Sequence, residues 1–146
     1  MTDLPMSPEE LQDFATRYTA AWCSQDAASV AEFFAEYGSL TVNEGTPAIG
    51  REAITDVAQL FMTAFSDLEV SMDRLDITAD HIKYLWTLKG TNDGPGGTGN
   101  KVCISGFEEW IIDEDGLVAE SRGHFDNEDY RRQLEHGFES SDQVGG

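Results

Sequence analysis

The chain has 146 residues, 40% of them hydrophobic, which is enough for one domain with its own core and too apolar for wholesale disorder. Its 28 acidic residues outnumber nine basic ones and give a formal charge of −19, which argues against nucleic acid and anionic membranes as partners, because both need a basic footprint. Cys23 and Cys103 lie far apart without a CxxC pair and are expected reduced and packed; without a secretory pattern or an apolar run of spanning length, a cytoplasmic location is expected.

Ser7-Pro8-Glu9-Glu10 is a capping box with proline at the first helical position. Behind it Leu11, Phe14, Ala15, Tyr18, Ala21 and Trp22 recur at three and four residues, the stripe of an amphipathic helix. Asp26 is placed to cap a second short helix carrying Val30, Phe33 and Phe34. Gly38 breaks that pattern, and Leu40 to Glu44 reads as a strand stopped by Gly45 and Pro47. Gly50-Arg51-Glu52 opens a third helix, with Ile54, Val57, Ala58, Phe61 and Phe65 on one face.

From Leu68 the period changes to two. Val70 and Met72 mark one strand reaching toward Ile77, and Asp80 marks a turn. Ile82, Tyr84, Trp86 and Leu88 then alternate with polar neighbours. After a glycine-rich loop from Thr91 to Asn100, Val102 to Ile112 reads as a long strand. Asp113-Glu114-Asp115-Gly116 is a hairpin turn, and Leu117 to Phe125 returns as the partner strand. A brief charged helix follows Asp126. Residues 1–136 are expected to form the domain, with 137–146 as a flexible tail.

Helices first and consecutive antiparallel strands afterwards argue for an α+β fold, a curved sheet wrapped around the helices and enclosing a pocket. At this point "FFAEYGSLTVNEGTPAIGREAI" and "GTNDGPGGTGNKVCISGFEEWIIDEDGLVAESRGHFDNEDYRRQL" resemble the SnoaL-like (polyketide cyclase-like) branch of the NTF2-like superfamily. The resemblance spans Leu11 to Leu134. It implies an NTF2-like cone, a strongly curved antiparallel or mixed sheet around three N-terminal helices, paired as a homodimer through the sheet. It is specific for fold and weak for function, since the superfamily holds cyclases, isomerases, epoxide hydrolases, dehydratases and non-catalytic members.

Measured against the steroid-isomerase type, Tyr18 stands where a tyrosine polarises a carbonyl, and Glu44 lies close to the carboxylate that moves a proton. Against the polyketide-cyclase type, Asp126 is the nearest match to the late acid/base aspartate. The epoxide-hydrolase type requires an Arg-x-Asp pair where this chain has Trp86-Thr87-Leu88, and an aspartate where it has Gly123, so that mechanism is rejected.

Two roles remain open to Asp126: general acid/base with His124 two residues earlier on the same strand face, or N-cap of the terminal helix. Glu44 points toward the pocket if it continues the face of Leu40 and Val42, or stands in an exposed turn if the strand has ended. Phe14, Tyr18, Trp22, Tyr84 and Trp86 are either core or pocket wall. Glu108, sharing a face with Gly106 and Trp110, is a second proton-transfer candidate if that face is inward and a solvated glutamate if not.

The glycine loop lacks a phosphate-binding GK[ST] and leads into a strand, so it reads as a hairpin loop or a lid over the pocket. His81, His124 and His136 have no metal-ligand spacing, and no metal or cofactor is expected. The favoured function is cofactor-free proton abstraction and return on a small, largely apolar carbonyl compound bound in the cone, as in isomerisation or aldol-type cyclisation. The rival is a non-catalytic ligand-binding or dimerisation module.

Overall fold

α1 (Pro8–Cys23) begins as its capping box predicts. The Ser7 hydroxyl accepts from the Glu10 N–H at 3.1 Å, and the Glu10 carboxylate accepts from the Ser7 N–H at 2.8 Å. The computed structural model describes residues 6–78 and 82–137, so the expected turn at Asp80 and all of the expected tail but Gly137 lie outside the described residues. All six residues of the apolar stripe are buried. Burying a side chain of Leu or Phe size contributes about 1.5–3 kcal/mol, which is ample to fix the helix's rotation.

The next segment differs from its sequence reading. α2 is only Ala27–Ala31, Asp26 makes no side-chain cap bond, and β1 already starts at Phe34 and runs to Val42. Phe33 and Phe34 therefore leave the helix. The Phe33 carbonyl accepts from the Val118 N–H at 3.0 Å, and the Phe34 carbonyl accepts from Arg51 Nε at 3.0 Å, so long-range pairing overrides a local helical pattern. Gly38 lies inside β1, where a Cβ would stand 2.7 Å from the Val118 carbonyl oxygen. Glycine there permits a close backbone approach instead of ending the strand.

β2 (Ala48–Ile49) and α3 (Arg51–Ala64) follow, then the long strands β3 (Glu69–Ile77), β4 (Ile82–Thr91), β5 (Lys101–Ile112) and β6 (Val118–Phe125), and finally α4 (Asn127–His136). The strand order is β2-β1-β6-β5-β4-β3; β1 runs parallel to β6 and the other neighbours are antiparallel. The result is a curved, unclosed mixed sheet. Register shifts at Met72/Arg74 and Ile111/Ile112 mark where extra residues increase the local bend.

Period-two alternation decides which residues face the helices. Ile82, Tyr84, Trp86 and Leu88 of β4 are buried, as are Val102, Ile104, Glu108 and Trp110 of β5 and Val118, Ser121 and Gly123 of β6. α1 and α3 close this face, with Ile54, Ala58 and Met62 of α3 buried. The glycine-rich loop is not a free lid. The Asn92 amide donates to the Ala64 carbonyl at 3.1 Å, and the Asn100 amide donates to the Leu134 carbonyl at 2.9 Å, which fastens the loop to the ends of α3 and α4.

Candidate active site

One carboxyl group lies in the inner wall. Glu108 is 7% exposed, and three donors from α1, β5 and β6 converge on its Oε1. The Tyr18 hydroxyl donates at 3.0 Å, the Trp110 indole N–H at 2.8 Å and the Ser121 hydroxyl at 2.8 Å. Among the described residues, the other oxygen, Oε2, receives only the longer branch from Tyr18, at 3.3 Å. The two oxygens are therefore inequivalent, and Oε2 keeps lone pairs for a proton or a substrate.

Burial pushes the Glu108 pKa above its ordinary 4.5, and the three hydrogen bonds oppose that shift without cancelling it. Taking a carboxylate out of water penalises its charged form more strongly than three neutral donors compensate. Tyr18 is raised well above 10, chiefly by burial and then by the Glu108 charge, so it stays protonated and remains a donor. Tyr84 is raised likewise by burial; its hydroxyl lies 2.5 Å from that of Thr19, and its ring stacks on Trp110 at 4.9 Å. Aromatic contact thus fixes the orientation of the Trp110 N–H toward Glu108.

Glu108 forms part of the lining of a cavity of about 60 Å³. Its walls include Trp22, Phe61, Tyr84, Trp86 and Phe125, with aliphatic side chains from β1, β3, β4 and β5 between them. Beside it lies a wider depression of about 820 Å³ that shares Val42, Phe61 and Phe125 with the cavity. These three residues line both the apolar chamber and its wider mouth, where Glu44, His124 and Asn127 also lie.

Of the remaining expected site residues, Glu44 and His124 line the mouth, and none lines the chamber with Glu108. Asp126 is exposed, and its carboxylate accepts from the Asp129 N–H at 3.1 Å, the geometry of an N-cap of α4. β6 ends at Phe125, so Asp126 does not share a strand face with His124. His124 faces Glu109 at 3.5 Å and lies tilted against the Phe107 ring at 4.9 Å, on the outer side of the sheet. Glu44 is exposed because β1 ends at Val42 and Asn43 turns the chain with φ of 53°. The Asn43 side-chain carbonyl accepts from the Phe125 N–H at 2.9 Å and pins that turn to β6.

Phe14 packs edge-on against Phe33 and Trp110 in the core and is not part of the cavity wall. Tyr18, expected to donate to a substrate oxygen, directs its proton to Glu108 instead. Sequence reasoning missed Ser121 and the supporting role of Trp110. The signal for both was alternation: Ser121 and Gly123 share the β6 face opposite Arg122 and His124. Among the described residues, no three His, Cys, Asp or Glu side chains converge as a metal site, and no helix is long and apolar enough to cross a membrane.

Comparisons with known proteins agree with this architecture. The family model for SnoaL-like polyketide cyclases matches residues 12–134. No curated protein matches the chain in sequence. Among solved structures, a Catenulispora acidiphila protein with a ketosteroid isomerase-like fold, in complex with trimethylamine, superposes with a TM-score of 0.74 at 15% identity, over 88% of this chain and 94% of that one. An NTF2-like protein from Burkholderia pseudomallei gives 0.73 at 16% identity, over 88% and 98%. A phenazine biosynthesis-related protein from Pseudomonas aeruginosa gives 0.69 at 18% identity, over 87% and 88%. At these identities the likeness is one of fold.

Proposed function

The chain belongs to the SnoaL-like polyketide cyclase family, and on that premise we propose that it is a cofactor-independent acid/base enzyme using Glu108 to move a proton on a small, largely apolar carbonyl compound. The observation that carries this reading is a single carboxyl among the lining residues of an apolar chamber, gripped by three donors at Oε1 and held at Oε2 through the longer branch from Tyr18. As base, Oε2 takes a proton from the carbon beside the substrate carbonyl, leaving an enolate. As acid, it returns that proton to a different carbon in an isomerisation, or to the new alkoxide after the enolate attacks a second carbonyl in a cyclisation. The raised pKa suits the exchange, because an acid poised nearer neutrality both accepts and releases the proton. Homodimerisation through the outer face of the sheet belongs to the same proposal.

Incubation in D₂O with cyclohexanone or cyclopent-2-enone tests it. The wild-type protein is expected to speed deuteration beside the carbonyl, read by NMR, and Glu108→Gln to lower that rate about 10²–10⁴-fold. Glu44→Gln and Asp126→Asn are expected to leave it unchanged. A Glu108→Gln protein that exchanges at the wild-type rate would remove Glu108 from the chemistry.

A second reading is non-catalytic capture of a small amine by the Glu108 carboxylate and the surrounding aromatic faces. Five aromatic side chains in the wall favour it, as does the trimethylamine held by the Catenulispora protein. Under this reading Glu108→Gln abolishes trimethylammonium binding, and no deuteration is seen with either protein.

A further inference from the structure

A polar atom in the chamber wall is unaccounted for by the chemistry of Glu108. The Trp86 side chain lines the cavity, the residue is only 9% exposed, and its indole N–H has no hydrogen-bond partner among the described residues. Buried donors in folded proteins are almost always paired, so an orphan in a cavity-lining residue calls for an explanation, and a ligand acceptor is one. Trp110 provides the contrast, since its indole N–H is held by Glu108 at 2.8 Å.

Trp86 is fixed by its surroundings. It lies opposite Gly106 on β5, where a Cβ would stand 2.8 Å from the Trp86 ring, 3.0 Å from the Phe125 Cβ and 2.3 Å from the His124 carbonyl oxygen. The absence of a side chain at 106 makes room for the indole, and the Phe125 ring meets it edge-on at 6.0 Å. The register also sets its relation to the acid. Tyr84 pairs with Glu108 and Trp86 with Gly106, so Trp86 and Glu108 are diagonal neighbours on one sheet face, about 7–8 Å apart along the backbone. Leu40, Val57, Val70, Leu88 and Ile104 are among the other lining residues, and their side chains offer neither donor nor acceptor.

We propose that Trp86 is the polar anchor of the ligand: its N–H donates to a carbonyl oxygen and thereby brings the adjacent carbon toward Glu108 Oε2. The second half of this statement rests on the proton-transfer reading of Glu108. The ligand class is then a small uncharged compound with one carbonyl acceptor and an apolar body. An ammonium ligand has no acceptor and leaves the Trp86 N–H unpaired. In the reaction the oxygen that Trp86 holds is the one that gains negative charge, so its hydrogen bond strengthens in the enolate.

The test uses cyclohexanone, its hydrocarbon counterpart methylcyclohexane, and trimethylammonium as probes. The chain has three tryptophans and so three indole N–H resonances. Saturating cyclohexanone is expected to move the Trp86 indole proton downfield, and methylcyclohexane is not. Trp86→Phe keeps an aromatic ring and removes the donor. It is expected to weaken cyclohexanone binding about 10-fold, leave methylcyclohexane binding within about twofold, and slow the Glu108-dependent deuteration. Retained hydrocarbon binding also reports that the variant is folded; if it is not, the wild-type resonance decides alone.

An unmoved Trp86 resonance, equal binding of cyclohexanone to both proteins, or trimethylammonium bound while cyclohexanone is not, each overturns the proposal. A shifted Trp86 resonance together with a Glu108→Gln protein that exchanges normally keeps the anchor and removes the acid. The two failures are therefore separable.

Discussion

Glu108 and Glu109 are consecutive in the chain and occupy opposite environments. Glu108 faces inward, gathers three donors on one oxygen, and has its pKa raised by burial. Glu109 faces outward and lies 3.5 Å from His124, with the two side chains 37% and 41% exposed. β6 repeats the division, since Ser121 and Gly123 are buried while Arg122 is exposed and its guanidinium meets the Glu120 carboxylate at 2.6 Å. Strand alternation chooses the face, and desolvation then decides how strongly a carboxyl favours its protonated form.

The largest break of that contrast is to remove each glutamate in turn. Glu108→Ala leaves the Tyr18 hydroxyl, the Trp110 N–H and the Ser121 hydroxyl without their acceptor. Each unsatisfied buried donor costs about 1–3 kcal/mol, so we expect a total loss of about 3–5 kcal/mol after relaxation, measured by urea unfolding. Glu109→Ala is expected to stay within about 0.5 kcal/mol. Equal losses for the two would mean that the three donors find water or one another and that the grip on Glu108 contributes little.

A finer separation comes from pH. The folded-state pKa of Glu108 is above its ordinary 4.5, so the folded protein binds this proton more tightly than the unfolded chain does. Its contribution to stability is fully present below pH 4.5 and is lost as pH rises through the folded pKa. The side chain at position 108 of the Glu108→Gln variant cannot ionise, so the difference between the two proteins isolates the Glu108 contribution. The stability of wild type minus that of Glu108→Gln should therefore fall as pH rises above 4.5 and level off above the folded pKa. A difference that rises with pH would show a carboxylate stabilised by its donors, with the opposite sign of shift. The basic form also appears only above that pKa, so the deuteration rate should climb over the same interval.

Much of the frame was legible in the sequence because its causes are local. The capping box at Ser7, the α1 stripe and the alternation of β4 each depend on residues within a few positions of one another. So does the hairpin at Asp113, whose N–H reaches the Leu117 carbonyl at 2.8 Å and whose carboxylate accepts from the Leu117 N–H at 3.0 Å. The start of β1 was not legible, since adjacent Phe33 and Phe34 fit a helix equally well until β6 pairs with them.

The site was half legible. That Glu108 shares a face with Gly106 and Trp110 was legible, but not that this face is the inner one, and its grip depends on Tyr18, 90 residues away, and Ser121, 13 away. No local pattern tells which of two adjacent glutamates such groups will meet. The rim was ambiguous for the converse reason. Asp126, Glu44 and His124 carry the residue types of a site, but a strand end and a helix start give each an ordinary local role.

Asp126 offers the smallest effect and still separates rim from chamber. Its carboxylate holds one N–H of the first turn of α4, and Gln133 farther along that helix accepts from the Cys103 N–H at 2.7 Å, tying α4 to β5 independently. Loss of the cap therefore frays one turn and does not release the helix. Asp126→Ala is expected to cost about 1 kcal/mol in urea unfolding, and Asp126→Asn much less, because asparagine caps as well as aspartate. Neither should change the deuteration rate, since the carboxylate is exposed and outside the chamber wall. If Asp126→Asn preserved stability and abolished exchange, the acid would have to be sought at the mouth, and the grip on Glu108 would be structural.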